Sequence, residues 1–145
     1  MKEVIISITG SQDFGDGLVD TIELITTGEY SWDTHGRGRF SYEESELTGL
    51  EGTVTSFTVE PHGVTMEREG ILNTLMVFEL GRRHMFLYET PYGSSTMGVD
   101  TRVLNSTLGE HGGDMELDYT IDLDHTPVGR NRFVINVREK NSIRN

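Results

Sequence analysis

Cysteine is absent from the 145-residue sequence. This absence excludes disulfide bonds, thiolate nucleophiles and zinc sites built on cysteine ligands. Small secreted domains often rely on disulfides, because their hydrophobic cores alone stabilise them poorly. The lack of cysteine therefore favours a cytoplasmic protein.

Long apolar runs are also missing. No stretch approaches the roughly 20 apolar residues that a transmembrane helix requires. Residues 1–8 lack the uninterrupted apolar segment that follows a positively charged region in signal peptides, and they alternate as a strand does. We therefore expect neither a membrane span nor a signal peptide in this sequence.

Basic residues are scarce. Twelve lysine and arginine residues stand against 24 aspartate and glutamate residues, which gives a formal net charge of −12. Nucleic acids and anionic membranes are themselves negatively charged, so this balance argues against both as partners. Arg82 and Arg83 are the only adjacent basic pair before Arg138, too few for a phosphate-binding stripe. An acidic surface of this kind is typical of a small soluble domain.

The dominant pattern is alternation with a period of two residues. Between residues 115 and 123, apolar side chains alternate without error with acidic side chains or threonine, which indicates a strand with one apolar face. Shorter runs of the same kind recur along the chain, separated by turns rich in glycine and proline. They cover residues 4–8, 18–30, 40–42, 53–59, 64–66, 75–78, 85–88, 97–103 and 133–137.

These runs predict an all-β fold. Strands about 8–12 residues apart with short turns are typical of an antiparallel meander of about 8–10 strands that forms a barrel or a sandwich. No segment has the three turns of apolar spacing expected of a packed helix. Because the sequence contains no internal repeat, linker or low-complexity stretch, we expect a single domain over residues 1–145.

Five polar residues fall in phase with apolar rows that should point into a barrel: Tyr42, Glu44, Arg68, Glu89 and Tyr119. A buried charge needs a partner, and Arg68 paired with Glu44 or Glu89 would supply one. One interpretation is a small polar cavity that recognises a ligand. The other places these groups at the barrel rims, where strands end and water solvates them. Both interpretations are open at this stage.

The segment 75–88 is apolar on both faces. Residues 75–78 and 85–88 contain almost no polar side chain, and we expect them to form a hairpin. One face fills the core, so the other must be covered, either by another part of the chain such as the terminal strand or by a second subunit in a homodimer.

No catalytic or cofactor motif is present. The best local group of metal-ligand types is Asp122, Asp124 and His125, but the two aspartates already fit the solvated face of their strand. We therefore predict no metal site and no cofactor. An enzyme would need a titratable group in a cleft, for which Glu89 and His84 are the best candidates.

Three stretches resemble one protein family. They are residues 41–53, residues 87–93, and Gly112, Gly113 and Asp114 leading into the long alternating strand. Together they resemble the DUF1934 family, the YwiB-like proteins of Gram-positive bacteria, over nearly the whole chain. The resemblance implies a lipocalin-like (calycin-like) barrel rather than a sandwich, and a cytoplasmic bacterial protein. It supplies no functional residues to carry over.

The function expected from these observations is non-enzymatic binding of a small molecule in the barrel interior or mouth. The alternative is a protein–protein interaction module that docks through the apolar 75–88 segment or the 43–52 loop. An enzyme is the third hypothesis, and no motif supports it.

Overall fold

The computed structural model describes residues 1–13, 19–45, 50–70, 73–90 and 93–140, with the backbone alone at residues 88–90. Ten β-strands follow one another, and the described residues contain no helix. The strands are β1 (Lys2–Asp13), β2 (Val19–Trp32), β3 (Gly38–Glu43), β4 (Val54–Glu60), β5 (Gly63–Glu69), β6 (Thr74–Phe78), β7 (Arg83–Thr90), β8 (Gly93–Ser106), β9 (Gly112–Leu123) and β10 (Thr126–Glu139). The predicted all-β fold is confirmed, and each expected run lies within or overlaps one strand.

The strands form one antiparallel sheet in the order β6-β5-β4-β3-β2-β1-β10-β9-β8-β7. The first and last strands of the chain pair with each other from Val4↔Glu139 to Asp13↔Arg130, which curls the sheet into a nearly closed barrel. This arrangement is consistent with a lipocalin-like barrel. Strands β6 and β7 are the two edges of this sheet, and no hydrogen-bonded ladder joins them among the described residues. We call the gap between these two strands the seam.

At one end of the seam, the chain that follows β6 is tied to β8. Leu80, just beyond β6, forms an isolated parallel bridge with Thr101 of β8. The Gly81 backbone N–H donates to the Thr101 carbonyl oxygen at 3.4 Å, which strengthens the same connection. At the other end, toward Thr74, no described ladder joins the two strands.

This topology corrects the expected 75–88 hairpin. Strands β6 and β7 are consecutive in sequence but are not partners, because β6 pairs with β5 and β7 pairs with β8. Leu75 and Leu87 remain more than half exposed, at 53% and 58%, so no described part of the chain covers them. The expectation that the terminal strand covers this face is therefore wrong for the part of the chain that the structure describes.

The two halves of the barrel interior differ in packing. In the half that holds the β2–β3, β4–β5, β6–β7 and β8–β9 connections, large side chains pack closely together in the interior. Tyr30, Phe40, Val64, Phe78 and Leu117 are each at most 1% exposed there. We call this the packed half. The opposite half, toward the β3–β4 and β5–β6 connections, has polar side chains in phase with the apolar rows, and we call it the hollow half.

The described residues include no helix that is long and apolar enough to cross a membrane.

Candidate functional site

The hollow half contains two adjoining chambers. One has a volume of about 360 Å³ and reaches from Tyr42 and Arg68 across to Phe86 and Tyr119. The other, of about 250 Å³, lies beside Glu44 and shares Tyr42, Arg68 and Phe133 with the first. Thr74 of β6 and Phe86 of β7 both line the larger chamber. The interior therefore adjoins the seam at the level where no ladder closes it.

The polar end of the chambers is built by strand register. Tyr42 of β3 pairs with Thr55 of β4, and Thr55 pairs with Arg68 of β5, so these three residues form one row across the sheet. Glu44 follows two residues after Tyr42 and points the same way, because its backbone N–H still bonds to the Thr53 carbonyl oxygen at 2.8 Å. Local pairing alone thus brings a carboxylate and a guanidinium to the same interior position.

Glu44 is the most deeply buried charge in this row. Its side chain is 1% exposed, and that of Arg68 is 26% exposed. Arg68 Nε lies 3.9 Å from Glu44 Oε2, which is an ion-pair distance but too long for a hydrogen bond. The same Oε2 accepts a hydrogen bond from the Thr55 hydroxyl. The carboxylate is therefore paired in charge, and a side-chain hydrogen bond also links it to the Tyr42 phenol.

The pair leaves hydrogen-bonding capacity unused. Glu44 Oε1 and Arg68 Nε are both buried, and neither has a hydrogen-bond partner among the described residues. A buried acceptor or donor without a partner costs about 1–3 kcal/mol, and more when the group is charged. The arrangement is thus costly as it stands, and both atoms are enclosed by the described residues rather than open to the chambers.

Two tyrosines complete the polar surface. Burial, followed by the negative charge of Glu44, raises the pKa of Tyr42 well above its usual range. Burial likewise raises the pKa of Tyr119, against a smaller opposing effect of the Arg68 charge. Both phenols therefore stay protonated at neutral pH and can donate a hydrogen bond.

Aromatic and aliphatic side chains form most of the remaining walls, with Gln12 and Asn131 among them. The Tyr119 ring lies between Phe78 and Phe133, with centroid distances of 4.7 Å and 6.2 Å. The Phe133 ring occupies its position because Gly10 has no side chain: a Cβ there would meet Phe133 Cε1 at 2.8 Å. These contacts place flat apolar surfaces opposite the polar row of Tyr42, Thr55 and Arg68.

The structure brings four of the five predicted site residues together. Tyr42, Arg68 and Tyr119 line the larger chamber, and Glu44 lines the smaller one beside them. The interpretation that these groups lie solvated at the barrel rims is wrong for Tyr42, Glu44 and Tyr119, which are buried. The Arg68 side chain is partly solvated, with 26% of its surface exposed. The predicted pairing of Arg68 with Glu44 is confirmed.

Glu89 was predicted to point into the barrel, and the structure contradicts the reason for that prediction. Its prediction rested on an inward row through Met85 and Leu87, but these side chains are 49% and 58% exposed on the outer face. The inward residue of this strand is Phe86, which lines the larger chamber. The Glu89 side chain itself lies outside the described residues.

Several polar residues that are buried in the interior or line the mouth of a chamber were not predicted from the sequence, among them Thr55, Gln12 and Asn131. Thr55 bonds to Glu44, while Gln12 and Asn131 line the larger chamber. Each lies in phase with an apolar row: Thr55 with Phe57, Gln12 with Ile8, and Asn131 with Phe133. The signal was therefore present, but uncharged polar residues occur on both faces of strands and do not stand out as inward charges do.

The acidic cluster on β9 is engaged in structural contacts. Arg83 donates hydrogen bonds to both carboxylate oxygens of Asp122, and its Nη2 lies 2.7 Å from Oδ1. Asp124 and His125 adopt φ angles of 50° and 70° and form the turn that joins β9 to β10. Among the described residues, no group of three or more His, Asp or Glu side chains is arranged to hold a metal ion. His84, the other candidate from the sequence, pairs with Glu79 at 3.1 Å.

The barrel fold agrees with the comparisons to known proteins. The chain belongs to the family described as Domain of unknown function (DUF1934), whose model matches residues 6–135. Among solved structures, the chain is similar to the crystal structure of the YwiB protein from Bacillus subtilis, with a TM-score of 0.81 and 20% sequence identity. That alignment covers 95% of this chain and 92% of YwiB, and at this identity it shows the fold alone. No curated protein matches the chain.

Proposed function

We propose that this protein is a non-enzymatic binder of a small molecule, which it holds in the hollow half of its barrel. The observation that carries the proposal is the ion pair of Glu44 and Arg68, whose side chains belong to the walls of two adjoining interior chambers. The exposed part of the Arg68 side chain offers a charged hydrogen-bond donor to a ligand in the larger chamber.

The dimensions of the interior support the same proposal. A volume of about 360 Å³ lies at the small end of the range of about 300–1,000 Å³ that is typical of ligand sites. Such sites are mostly apolar, with a few polar groups that fix the orientation of the ligand. The chamber has this composition, with Phe86, Ile121 and Phe133 opposite Tyr42 and Arg68. The seam beside Thr74 and Phe86 offers a route for entry.

The direct test is native mass spectrometry of the protein purified gently from its own host under several growth conditions. We expect a bound small molecule that is lost in Ile121→Trp, because the indole would fill the larger chamber. Val134→Trp on the exposed face of β10 is the matched control and should retain the adduct. A wild-type protein that stays empty under every growth condition would count against the proposal.

A second candidate function is protein–protein association through the seam surface, which we define as Leu75, Leu80, Met85 and Leu87. All four side chains are between 49% and 58% exposed, and they lie on or beside two edge strands that have no ladder between them. Exposed apolar side chains on unpaired edges are typical of association surfaces. A second copy of the chain is the simplest partner, which makes a homodimer the expected form. The alternative 43–52 docking loop lies partly outside the described residues.

Light scattering behind a sizing column tests this second function. Association through the seam surface predicts a dimer at micromolar concentration and a monomer for the double variant Leu75→Glu with Leu87→Glu. Ile25→Glu, which changes a still more exposed side chain on β2, should leave the dimer intact. A wild-type monomer at these concentrations removes the homodimer. A cytoplasmic location stays a prediction based on the absence of cysteine.

A further inference from the structure

The long strand β2 has one side that β3 covers only in part. β2 pairs with β1 over residues 19–30 without a register shift. On its other side, β2 pairs with β3 over residues 29–32 only, because β3 is short and the chain then turns toward β4. Residues 19–28 therefore have β1 on one side and no ladder on the other among the described residues.

Backbone groups of β2 point into this uncovered side. In the β2–β3 hairpin, the Asp33 N–H donates to the Arg37 carbonyl oxygen at 2.9 Å. Backbone groups alternate between the two sides of a strand, so the odd-numbered residues of β2 direct theirs toward β3. Thr21, Glu23 and Ile25 therefore direct an N–H and a carbonyl to the same side, where no described residue bonds to them. We call these three residues the free edge.

Apolar side chains are accessible on both faces of β2 at the free edge. On the outer face, Ile25 is 72% exposed. On the inner face, Ile22 lines the smaller chamber and is still 52% exposed, because no strand lies alongside it. The smaller chamber, of about 250 Å³, thus opens along the free edge. A strand added here would place alternate side chains beside Ile25 and into this chamber.

Carboxylates flank the free edge, and they are exposed. None of them takes part in an ion pair among the described residues: Asp20, Glu23, Glu29 and Glu43. On β9, by contrast, Glu116 and Asp118 each bind an arginine. Negative charge without a counterpart favours a basic partner. It disfavours a second copy of this chain, which would bring the same carboxylates to the interface.

We propose that the free edge binds an extended, basic segment of a partner protein, which adds a strand beside β2. Main-chain hydrogen bonds to the free edge hold the segment in place. On its outer face a basic side chain lies opposite Glu23, and on its inner face an apolar side chain enters the smaller chamber. This activity goes beyond the proposed function, because it requires no small molecule in the larger chamber.

The probe is the peptide acetyl-Thr-Lys-Phe-Val-Leu-Lys-Thr-amide, whose lysines and valine share one face of a strand while its phenylalanine and leucine share the other. It is titrated into the full chain and followed by two-dimensional NMR of the backbone amides. We expect the amides of Thr21, Glu23 and Ile25 to shift and to become protected from hydrogen exchange. The same peptide with glutamate in place of both lysines should bind at least about tenfold more weakly, because like charges then face each other. Equal binding of the two peptides would overturn the proposal.

Two variants of Ile25 separate main-chain pairing from side-chain packing. Ile25→Pro removes the N–H of this residue, and an edge strand accommodates proline where the N–H has no partner in the sheet. The lysine peptide should no longer bind to this variant. Ile25→Thr keeps the N–H and should weaken binding by no more than about fivefold, since only side-chain packing is lost. Equal effects of the two variants would contradict main-chain pairing. Should Ile25→Pro fail to fold, a lysine peptide with N-methylvaline removes a hydrogen bond from the other side and should not bind.

Two charge variants test whether the preference belongs to the free edge. Glu23→Lys combined with Glu29→Lys should reverse the preference, so that the glutamate peptide binds more tightly. Glu60→Lys combined with Glu110→Lys makes the same change in net charge at exposed positions of the packed half, and it should keep the preference for the lysine peptide. A reversal in both double variants would assign the preference to the overall charge of −12 and would overturn the proposal.

Peptide binding and small-molecule binding can fail independently of each other. A barrel that stays empty in native mass spectrometry contradicts the small-molecule function and leaves peptide binding at the free edge standing. If neither peptide binds, the carboxylates only protect the edge from pairing, and the proposal is overturned whether or not a host molecule co-purifies. Shifts from the lysine peptide that cluster at the seam would place the acceptor strand at β6 or β7 and would overturn it as well.

Discussion

Asp118 is a buried carboxylate on the outer wall of β9, and its contacts predict acid sensitivity. Arg130 donates two hydrogen bonds to it, at 2.9 Å and 2.7 Å. These bonds hold the pKa of Asp118 below its usual range. Because the pKa is depressed in the folded state, the stabilisation is present above the unfolded pKa of about 3.9 and is lost as the pH falls through the folded value.

Asp118→Asn should therefore lower the free energy of unfolding at neutral pH by about 1–3 kcal/mol, since Arg130 loses a charged acceptor. The difference from wild type should shrink below about pH 4, where Asp118 is protonated in the unfolded chain. Urea unfolding at several pH values measures both effects. Glu116→Gln, which breaks a more exposed pair with Arg132, is the matched control and should cost less. Equal losses for the two variants would contradict the role assigned to Asp118.

Three interior tyrosines predict the behaviour of the protein at high pH. Burial raises the pKa of Tyr30 to about 12, and burial also raises the pKa of Tyr42 and Tyr119. A raised folded pKa means that the stabilisation is complete below the unfolded pKa of about 10 and is lost as the pH rises through the folded value. Absorbance titration near 295 nm should therefore show these phenols ionising only as the protein unfolds. Reversible ionisation of all tyrosines near pH 10 in the folded protein would contradict this.

At the scale of elements, the start of β9 depends on two glycines. Gly112 and Gly113 have φ angles of +111° and +144°, which side chains disfavour. A Cβ at Gly112 would overlap the Val137 carbonyl oxygen, and one at Gly113 would lie 2.5 Å from the Thr107 carbonyl oxygen. The glycine pair therefore lets β9 approach β10 and the preceding loop closely.

Gly112→Ala should destabilise the protein by about 1–3 kcal/mol, because it combines backbone strain with a steric overlap. Gly109→Ala in the same loop is the control, since a Cβ there meets nothing within 4 Å. Thermal unfolding of both variants measures the difference. A Gly112→Ala protein as stable as the Gly109→Ala protein would show that the strand start is not so constrained.

The strands were predictable from the sequence, whereas one of their pairings was not. Alternation specifies which side chains share a face, as the interior row of Met115, Leu117 and Tyr119 shows. It does not specify which strand lies alongside. Strands that follow each other in sequence usually pair, and β6 and β7 are an exception because closing the barrel leaves them at opposite ends of the sheet.

At the scale of the whole molecule, stability should be concentrated in the packed half. Phe40 is 0% exposed and stacks on Phe57 at 5.0 Å, whereas Phe86 is only partly buried beside the larger chamber. Phe40→Ala should lower the free energy of unfolding by about 3–5 kcal/mol. Phe86→Ala should lower it clearly less, because the Phe86 side chain borders a chamber and makes fewer contacts that the substitution can remove. Urea unfolding of the two variants compares them. Equal losses would show that the two halves are equally packed.

The candidate site was predictable to the extent that it consists of charges and phenols in apolar rows. Glu44 and Arg68 were recognisable as inward groups in need of partners, and the structure pairs them. The chambers were not predictable, because a cavity depends on how side chains from several strands meet across the interior. Phe133 and Gly10, for example, fit together only through the pairing of β1 with β10.

The central claim is that a small molecule occupies the interior beside Glu44 and Arg68. The most direct measurement is a high-resolution crystal structure of the protein purified gently from its own host. The account predicts density for a compact molecule that contacts Tyr42 and Arg68 and packs against Phe133. Chambers that hold only water, or that close with Glu44 and Arg68 bonded directly to each other, would contradict it.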